Sequence, residues 1–223
     1  MTDSLQTEIL PDPAAVANRA ADLLAERAHL AVAERSAFFL AVSGGHTPGA
    51  MFRALADRDF PWDSTTIFQV DERVAPPGTP ERNLTLLHSS LPASALASVR
   101  TMPVEDADLG AGADRSARSL PDRFDLIHLG LGADGHTASL VPGDPALAVV
   151  DRDVAITQPY KGLCRMTLTY PVIDRSRALL WLVLGADKQD ALRRLREHDT
   201  SIPAGRVASD RALVLADAAA AGG

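Results

Sequence analysis

The chain has 223 residues, 46% hydrophobic and 23% charged, with a formal net charge of −7. That mixture is ordinary for a globular protein. The acidic balance excludes a general nucleic-acid binder, because such affinity rests on neutralising phosphates with Lys and Arg. The basic residues are lopsided: twenty arginines against two lysines, Lys161 and Lys188.

The opening MTDSLQTEILPDP lacks the basic and apolar regions of a signal peptide. The longest apolar stretches, such as 178–184, are far shorter than the roughly 18 residues that span a membrane. One cysteine, Cys164, allows no internal disulfide, and no Cys/His cluster has zinc spacing. The expectation is a cytoplasmic protein without a metal, one domain over residues 1–223, as a monomer or small homo-oligomer.

In chain order, residues 13–33 place Val16, Ala20, Leu23, Leu24 and Ala28 on one helical stripe. Residues 37–42 form an apolar strand. Thr47, as a cap, and Pro48, in the first turn, then start a helix running to about residue 57. A strand over 65–70 and a helix over 81–91 come next. Residues 100–123, polar and rich in Ala, Asp and Gly, read as a surface excursion. Strands follow over 124–131 and 178–184, with weaker ones at 154–157, 166–169 and 212–215, and a helix over 188–198. Continuous apolar runs alternating with helices predict an α/β fold: an open, mostly parallel sheet covered by helices on both faces.

In such sheets ligands bind beyond the carboxyl ends of the strands, and four segments there carry candidate chemistry. In Ser43-Gly44-Gly45-His46-Thr47-Pro48, the glycines let backbone N–H groups approach an anion. Ser43 and Thr47 offer hydroxyls, and the next helix aims its positive end at the same place. The same residues also suit a tight strand-to-helix turn. In Asp71-Glu72-Arg73, Arg73 can fork onto a phosphate and Asp71 can orient a hydroxyl or act as a base. A solvated strand end with an internal ion pair is the alternative. Asn83 offers a polar support or a helix cap.

The third segment, Gly130-Leu131-Gly132-Ala133-Asp134-Gly135-His136-Thr137-Ala138-Ser139-Leu140, sets His136 among glycines with Asp134 two residues before it. That spacing suits a base whose tautomer a carboxylate fixes. His46, in the glycine loop, is the rival base. The fourth is Arg165 with Lys188. A lysine at a helix start opposes the helix dipole, a misfit that a bound anion would relieve. Lys161 falls in a loop nearby.

At these four segments the sequence resembles the 6-phosphogluconolactonase family, in the superfamily shared with glucosamine-6-phosphate deaminase and ribose-5-phosphate isomerase. The resemblance rests on Ser43-Gly44-Gly45 with Thr47-Pro48, Asp71-Glu72-Arg73 with Arg82-Asn83-Leu84, the 130–140 segment running into Pro142-Gly143, Arg165-Met166-Thr167-Leu168-Thr169, and Gly185 with Lys188. It implies a modified Rossmann-like fold and hydrolysis of 6-phospho-D-glucono-1,5-lactone in the oxidative pentose phosphate pathway, with neither a metal nor an organic cofactor. The implied phosphate site is Ser43, Gly44, Gly45, Thr47, Arg73 and Lys188, with Arg165 lining the pocket and His136 as catalytic residue. Where the family has phenylalanine before Pro-Gly, this chain has Val141.

Two rivals share the fold. An isomerase or deaminase would move a proton with Asp71, but the Asn-Glu-Pro such deaminases carry is replaced here by Ser139-Leu140-Val141-Pro142. A sugar-phosphate-sensing module would need a DNA-binding segment, for which the N-terminal helix is too short and too acidic.

Overall fold

The run that opens the fold is an edge strand, β1 (Gln6–Leu10), followed by a long helix, α1 (Pro13–Arg35). In this computed structural model, which describes residues 5–223 apart from the His46 side chain, Asp12 starts that helix: its carboxylate accepts from Ala15 N at 2.8 Å. Val16, Ala20, Leu24 and Ala28 form the buried stripe, while Leu23 lies at its margin. Next come β2 (Phe38–Val42), α2 (His46–Ala56) and β3 (Thr65–Gln69), and a corner at Val70 leads into a short strand, β4 (Asp71–Arg73). Two helices, α3 (Asn83–Ser90) and α4 (Ala93–Leu96), precede β5 (Val99–Arg100), α5 (Leu109–Ser119) and β6 (Leu126–Gly130). The remainder is β7 (Val154–Ile156), β8 (Arg165–Leu168), α6 (Tyr170–Asp174), β9 (Leu179–Val183), α7 (Gln189–Arg196), β10 (Ala212–Asp217) and α8 (Ala218–Ala221).

Seven strands form one sheet in the order β1-β10-β9-β6-β2-β3-β5, every neighbouring pair parallel. Alternate residues of each apolar run face two separate cores. Phe38, Leu40, Leu126, Leu180 and Leu215 pack beneath α1 and α2. Ala41, Ile127, Leu129, Trp181 and Val214 face the opposite layer, with α6 and α7. Burial on both faces explains why these strands read as continuous apolar runs. Among the described residues, no helix is long and apolar enough to cross a membrane.

Three expectations need correction. The apolar runs at 154–157 and 166–169 do form strands, but not in the main sheet. They make a separate antiparallel sheet, β4-β8-β7, with the charged triplet as its edge. An apolar run reports burial and not which strand it pairs with, and here the corner at Val70 redirects the chain: Leu168 N donates to Val70 O at 2.8 Å. Second, residues 100–123 are not merely a surface excursion. Met102 and Val104 are buried, and α5, capped by Asp108, packs Ala113 into the core. Its alanines and glycines carry too little apolar bulk to announce a buried face. Third, α2 begins at His46 with Gly45 at its cap position, so Thr47 lies inside the helix rather than capping it.

The chain runs from β2 to β3 and β5 on one side and returns to β6 on the other. The crevice between β2 and β6 is therefore where strand order reverses, the position where open α/β sheets hold ligands.

Candidate active site

A cleft of about 280 Å³ opens there. It brings together Ser43, Gly44, Gly45, Thr47, Asp71, Arg73, His136, Arg165 and Lys188, which are all the candidate residues except Asp134. Larger hollows lie elsewhere, and one is lined by Arg19, Arg177 and Arg211. Those arginines are already paired with Glu8, Asp125 and Asp210. The His46 side chain lies outside the described residues.

The glycine loop is shaped by two approaches. Gly45 has φ +111°, which L side chains adopt only under strain. A Cβ on Gly44 would lie 1.8 Å from Asn83 Oδ1, so only glycine leaves room for that amide. Asn83 uses its Nδ2 to donate to Asp71 O at 2.9 Å and Oδ1 at 3.1 Å. It is a polar support and not a cap, since Arg82 holds the cap position of α3. Ser43 differs from expectation. Its hydroxyl donates to His128 O at 3.2 Å, so that proton is already committed. No side-chain cap closes the start of α2 among the described residues, which leaves its positive end for an anion in the cleft.

The charged triplet divides its work. Glu72 is fully buried and structural, held to Arg82 at 3.2 Å. Asp71, 4% exposed, accepts from Asn83 on one oxygen and from the Ser139 hydroxyl on the other. Arg73 enters the cleft beside Arg165. Burial, reinforced by Arg73, holds the Arg165 guanidinium below its ordinary value, and Asp71 only partly offsets this. The Nε atoms of both arginines are buried without a hydrogen-bond partner among the described residues. Two crowded cations with unspent donors are poised for a polyanionic group.

Lys188 lines the same cleft from the turn before α7, where it pairs with exposed Asp187 at 2.9 Å. The helix-dipole misfit is thus partly answered within the chain.

His136 projects from the tight turn after β6. Gly135 N donates to Gly132 O, and Gly132 N to His136 O at 2.8 Å. A Cβ on Gly132 would lie 2.0 Å from His136 Nδ1, so that glycine gives the ring its seat. Nδ1 and Asp134 Oδ1 are 2.6 Å apart. Burial pushes the Asp134 carboxyl up, but bonds from His136 and Tyr160 outweigh it and hold it below its usual range. An ionised carboxylate only accepts, so Nδ1 carries the proton in this pair, and in the neutral ring Nε2 is the nitrogen left to accept one. The side chain is 24% exposed, which leaves it open to water. Among the described residues, no group of three or more His, Cys, Asp or Glu comes together in a metal-ligand arrangement.

Sequence reasoning passed over two residues here. Tyr160, from the β7–β8 connection, donates its hydroxyl to Asp134 Oδ2 at 2.9 Å. The only local sign was the turn pair Lys161-Gly162 after it. His128, inside β6, lines the cleft floor, and Ser43 N lies 3.3 Å from its Nδ1.

Complete burial pushes the His128 imidazole down to about 4 from an ordinary 6.5. Below pH 6.5 the unfolded chain takes up a proton there that the folded chain refuses. Stability is therefore full above 6.5 and falls as the pH drops toward 4, by about 3 kcal/mol in all. Urea unfolding between pH 7 and 4 should show this loss, and His128→Gln should flatten it. Equal slopes in the two proteins would contradict the assignment.

Sheet, crevice, paired arginines and the histidine–carboxylate couple define an α/β protein with a cationic cleft and a partly exposed histidine held by a carboxylate. The chain belongs to the glucosamine-6-phosphate isomerase/6-phosphogluconolactonase family, whose sequence model matches residues 11–215. It is 33% identical over 198 residues to a 6-phosphogluconolactonase of Nostoc sp., covering 83% of this chain and 82% of that one. It is 36% identical over 203 residues to that of Synechocystis sp., covering 84% and 83%. Among solved structures, a 6-phosphogluconolactonase from Shewanella baltica superposes with a TM-score of 0.88 at 25% identity, over 98% of this chain and 100% of that one.

Proposed function

We propose that this protein hydrolyses 6-phospho-D-glucono-1,5-lactone to 6-phospho-D-gluconate, the lactone-opening step of the oxidative pentose phosphate pathway. The observation that carries this reading is a single cleft holding both an anion-ready end and a general base. Arg73, Arg165 and Lys188 line the cleft together with the glycine loop, and the His136 side chain, 24% exposed, lines it too. Relatives named for this activity support it.

The phosphate docks on the amides of Gly44, Gly45 and the start of α2, with Thr47, Arg73 and Lys188 around it; the Ser43 amide and hydroxyl are held by His128 and shape the loop. That remote grip orients the ring, so binding energy serves the reacting carbonyl. His136 Nε2 takes a proton from water, which attacks the carbonyl carbon. Asp134 holds the ring in the Nδ1–H tautomer and stabilises the imidazolium that forms. As the tetrahedral adduct collapses, the carbonyl carbon–ring oxygen bond breaks and His136 returns the proton to the departing oxygen.

Proton transfer between adjacent carbons by Asp71 is disfavoured, because both of its oxygens already accept hydrogen bonds in a nearly closed setting. The stretch after His136 adds no acid: Leu140 and Val141 are buried core residues.

The phosphate end is tested by comparing phosphorylated with plain gluconolactone. Arg73→Ala and Lys188→Ala should each lower the preference for the phosphorylated substrate by about 10- to 100-fold, the loss of one charge-assisted contact. KM should carry most of the change. Unchanged preference would remove these residues from the phosphate site.

A further inference from the structure

The hydroxyl of Tyr160 reaches the reacting histidine only through a carboxylate. Asp134 Oδ1 takes His136 Nδ1 at 2.6 Å, and Oδ2 takes Tyr160 Oη at 2.9 Å. Tyr160 lies 26 residues from Asp134 in the chain, so its meeting with the His136 pair at one carboxylate is a tertiary feature and not local turn geometry. The tyrosine ring also stands edge to face with the imidazole, centroids 5.6 Å apart at 61°.

Tyr160 is itself held firmly. Its N–H donates to Leu163 O at 3.0 Å across a two-residue turn in which Lys161 (φ +52°) and Gly162 (φ +85°) are both left-handed. Lys161 tolerates that conformation at a cost, which points to a connection shaped to deliver the ring. Arg165 lies over the ring at 4.9 Å, and its guanidinium also reaches Tyr160 O at 3.5 Å. The tyrosine thus links Arg165 to the Asp134–His136 pair.

We propose, on the hydrolytic reading above, that Tyr160 is a positioning residue that fixes the Asp134 carboxylate and thereby sets the orientation and basicity of His136. With both oxygens occupied, Asp134 cannot rotate away, and the imidazole is confined between its carboxylate and the tyrosine edge. The Tyr160 bond also draws charge from the carboxylate and moderates its pull on a protonated His136. The other charged groups facing the trio are Arg165 and Lys161, the latter 5.3 Å from the ring centroid. Behind Arg165 stand Arg73 and Asp71 from β4.

Tyr160→Phe keeps the ring, its stacking and the turn, and removes only the hydroxyl. Its kcat should fall about tenfold with KM within about twofold, the worth of one hydrogen bond to a charged group. The acidic limb of kcat/KM, and the His136 imidazole signals followed by NMR against pH, should move to higher pH as Asp134 becomes more basic. In an Asp134→Asn background the same substitution should cost nothing further, since the hydroxyl acts through that carboxylate. An unmoved His136 titration, or a loss of equal size in the Asp134→Asn background, would overturn the proposal. The NMR titration needs no substrate, so absence of lactone hydrolysis by the wild-type protein would defeat the hydrolytic reading alone.

Discussion

His136→Ala should lower kcat by about 10²- to 10⁴-fold, the usual contribution of a positioned general base, with KM within about threefold. The split follows from the geometry. The imidazole is paired with Asp134 at 2.6 Å, while the groups that would hold the phosphate, Arg73, Lys188 and the glycine loop, are separate residues lining the same cleft. Removing the ring takes away proton transfer and leaves the grip on the substrate. The fold should be little affected, because the side chain is partly exposed and its backbone turn is kept by Gly132 and Gly135. Initial rates against substrate concentration, corrected for spontaneous lactone opening, measure the effect. A near-normal kcat would remove His136 from the mechanism.

Glu72→Ala should destabilise the folded protein by about 3–5 kcal/mol, as expected when one partner of a buried ion pair is removed. Glu72 is wholly buried, and its carboxylate serves several elements at once. It accepts from Gln69 Nε2 at 2.8 Å, from Arg73 N at 2.7 Å, and from Asn83 N and Leu84 N at 2.8 and 2.9 Å. The last two are the first amides of α3, so the glutamate closes that helix from outside and complements its dipole. Arg82, only 2% exposed, would be left as a buried charge facing a void, with Glu105 at the rim as its remaining acidic partner. Glu72→Gln keeps the shape and should cost less. Urea unfolding at pH 7 checks both. Losses below about 1 kcal/mol for Glu72→Ala would show that the network is not what holds β4 to α3.

The loss at Glu72 sets it apart from the residues on either side of it. Asp71, Glu72 and Arg73 are consecutive, and their sequence alone allowed either a working cluster or an idle ion pair. In the fold both readings hold, for different members. Glu72 points into the protein and is structural, while Asp71 and Arg73 line the cleft.

The central strands were legible because each is buried on both faces and therefore apolar throughout. Phe38–Val42 and Leu179–Val183 lie within a residue of the runs that marked them. β1 was not. Its Gln6, Thr7 and Glu8 look like any polar N-terminal run, and it is a strand only because it pairs in parallel with β10 along Gln6↔Leu213 to Leu10↔Asp217. The small sheet was hidden for a similar reason, since pairing partners are long-range information. In the site, Asp134 and His136 were legible because they lie two residues apart on one turn. The close fit of Gly44 against Asn83 and the bond from Tyr160 to Asp134 were not, because each joins segments distant in sequence. Lys188 was found through its misfit at a helix start, although Asp187 relieves part of that misfit.

The most direct measurement is the rate of 6-phosphogluconate formation from freshly prepared 6-phospho-D-glucono-1,5-lactone, read above spontaneous hydrolysis and run beside glucosamine 6-phosphate. The cleft described here predicts enzyme-dependent opening of the lactone and no release of ammonia from the amino sugar. Ammonia release with no acceleration of lactone opening would contradict it and transfer the chemistry to Asp71.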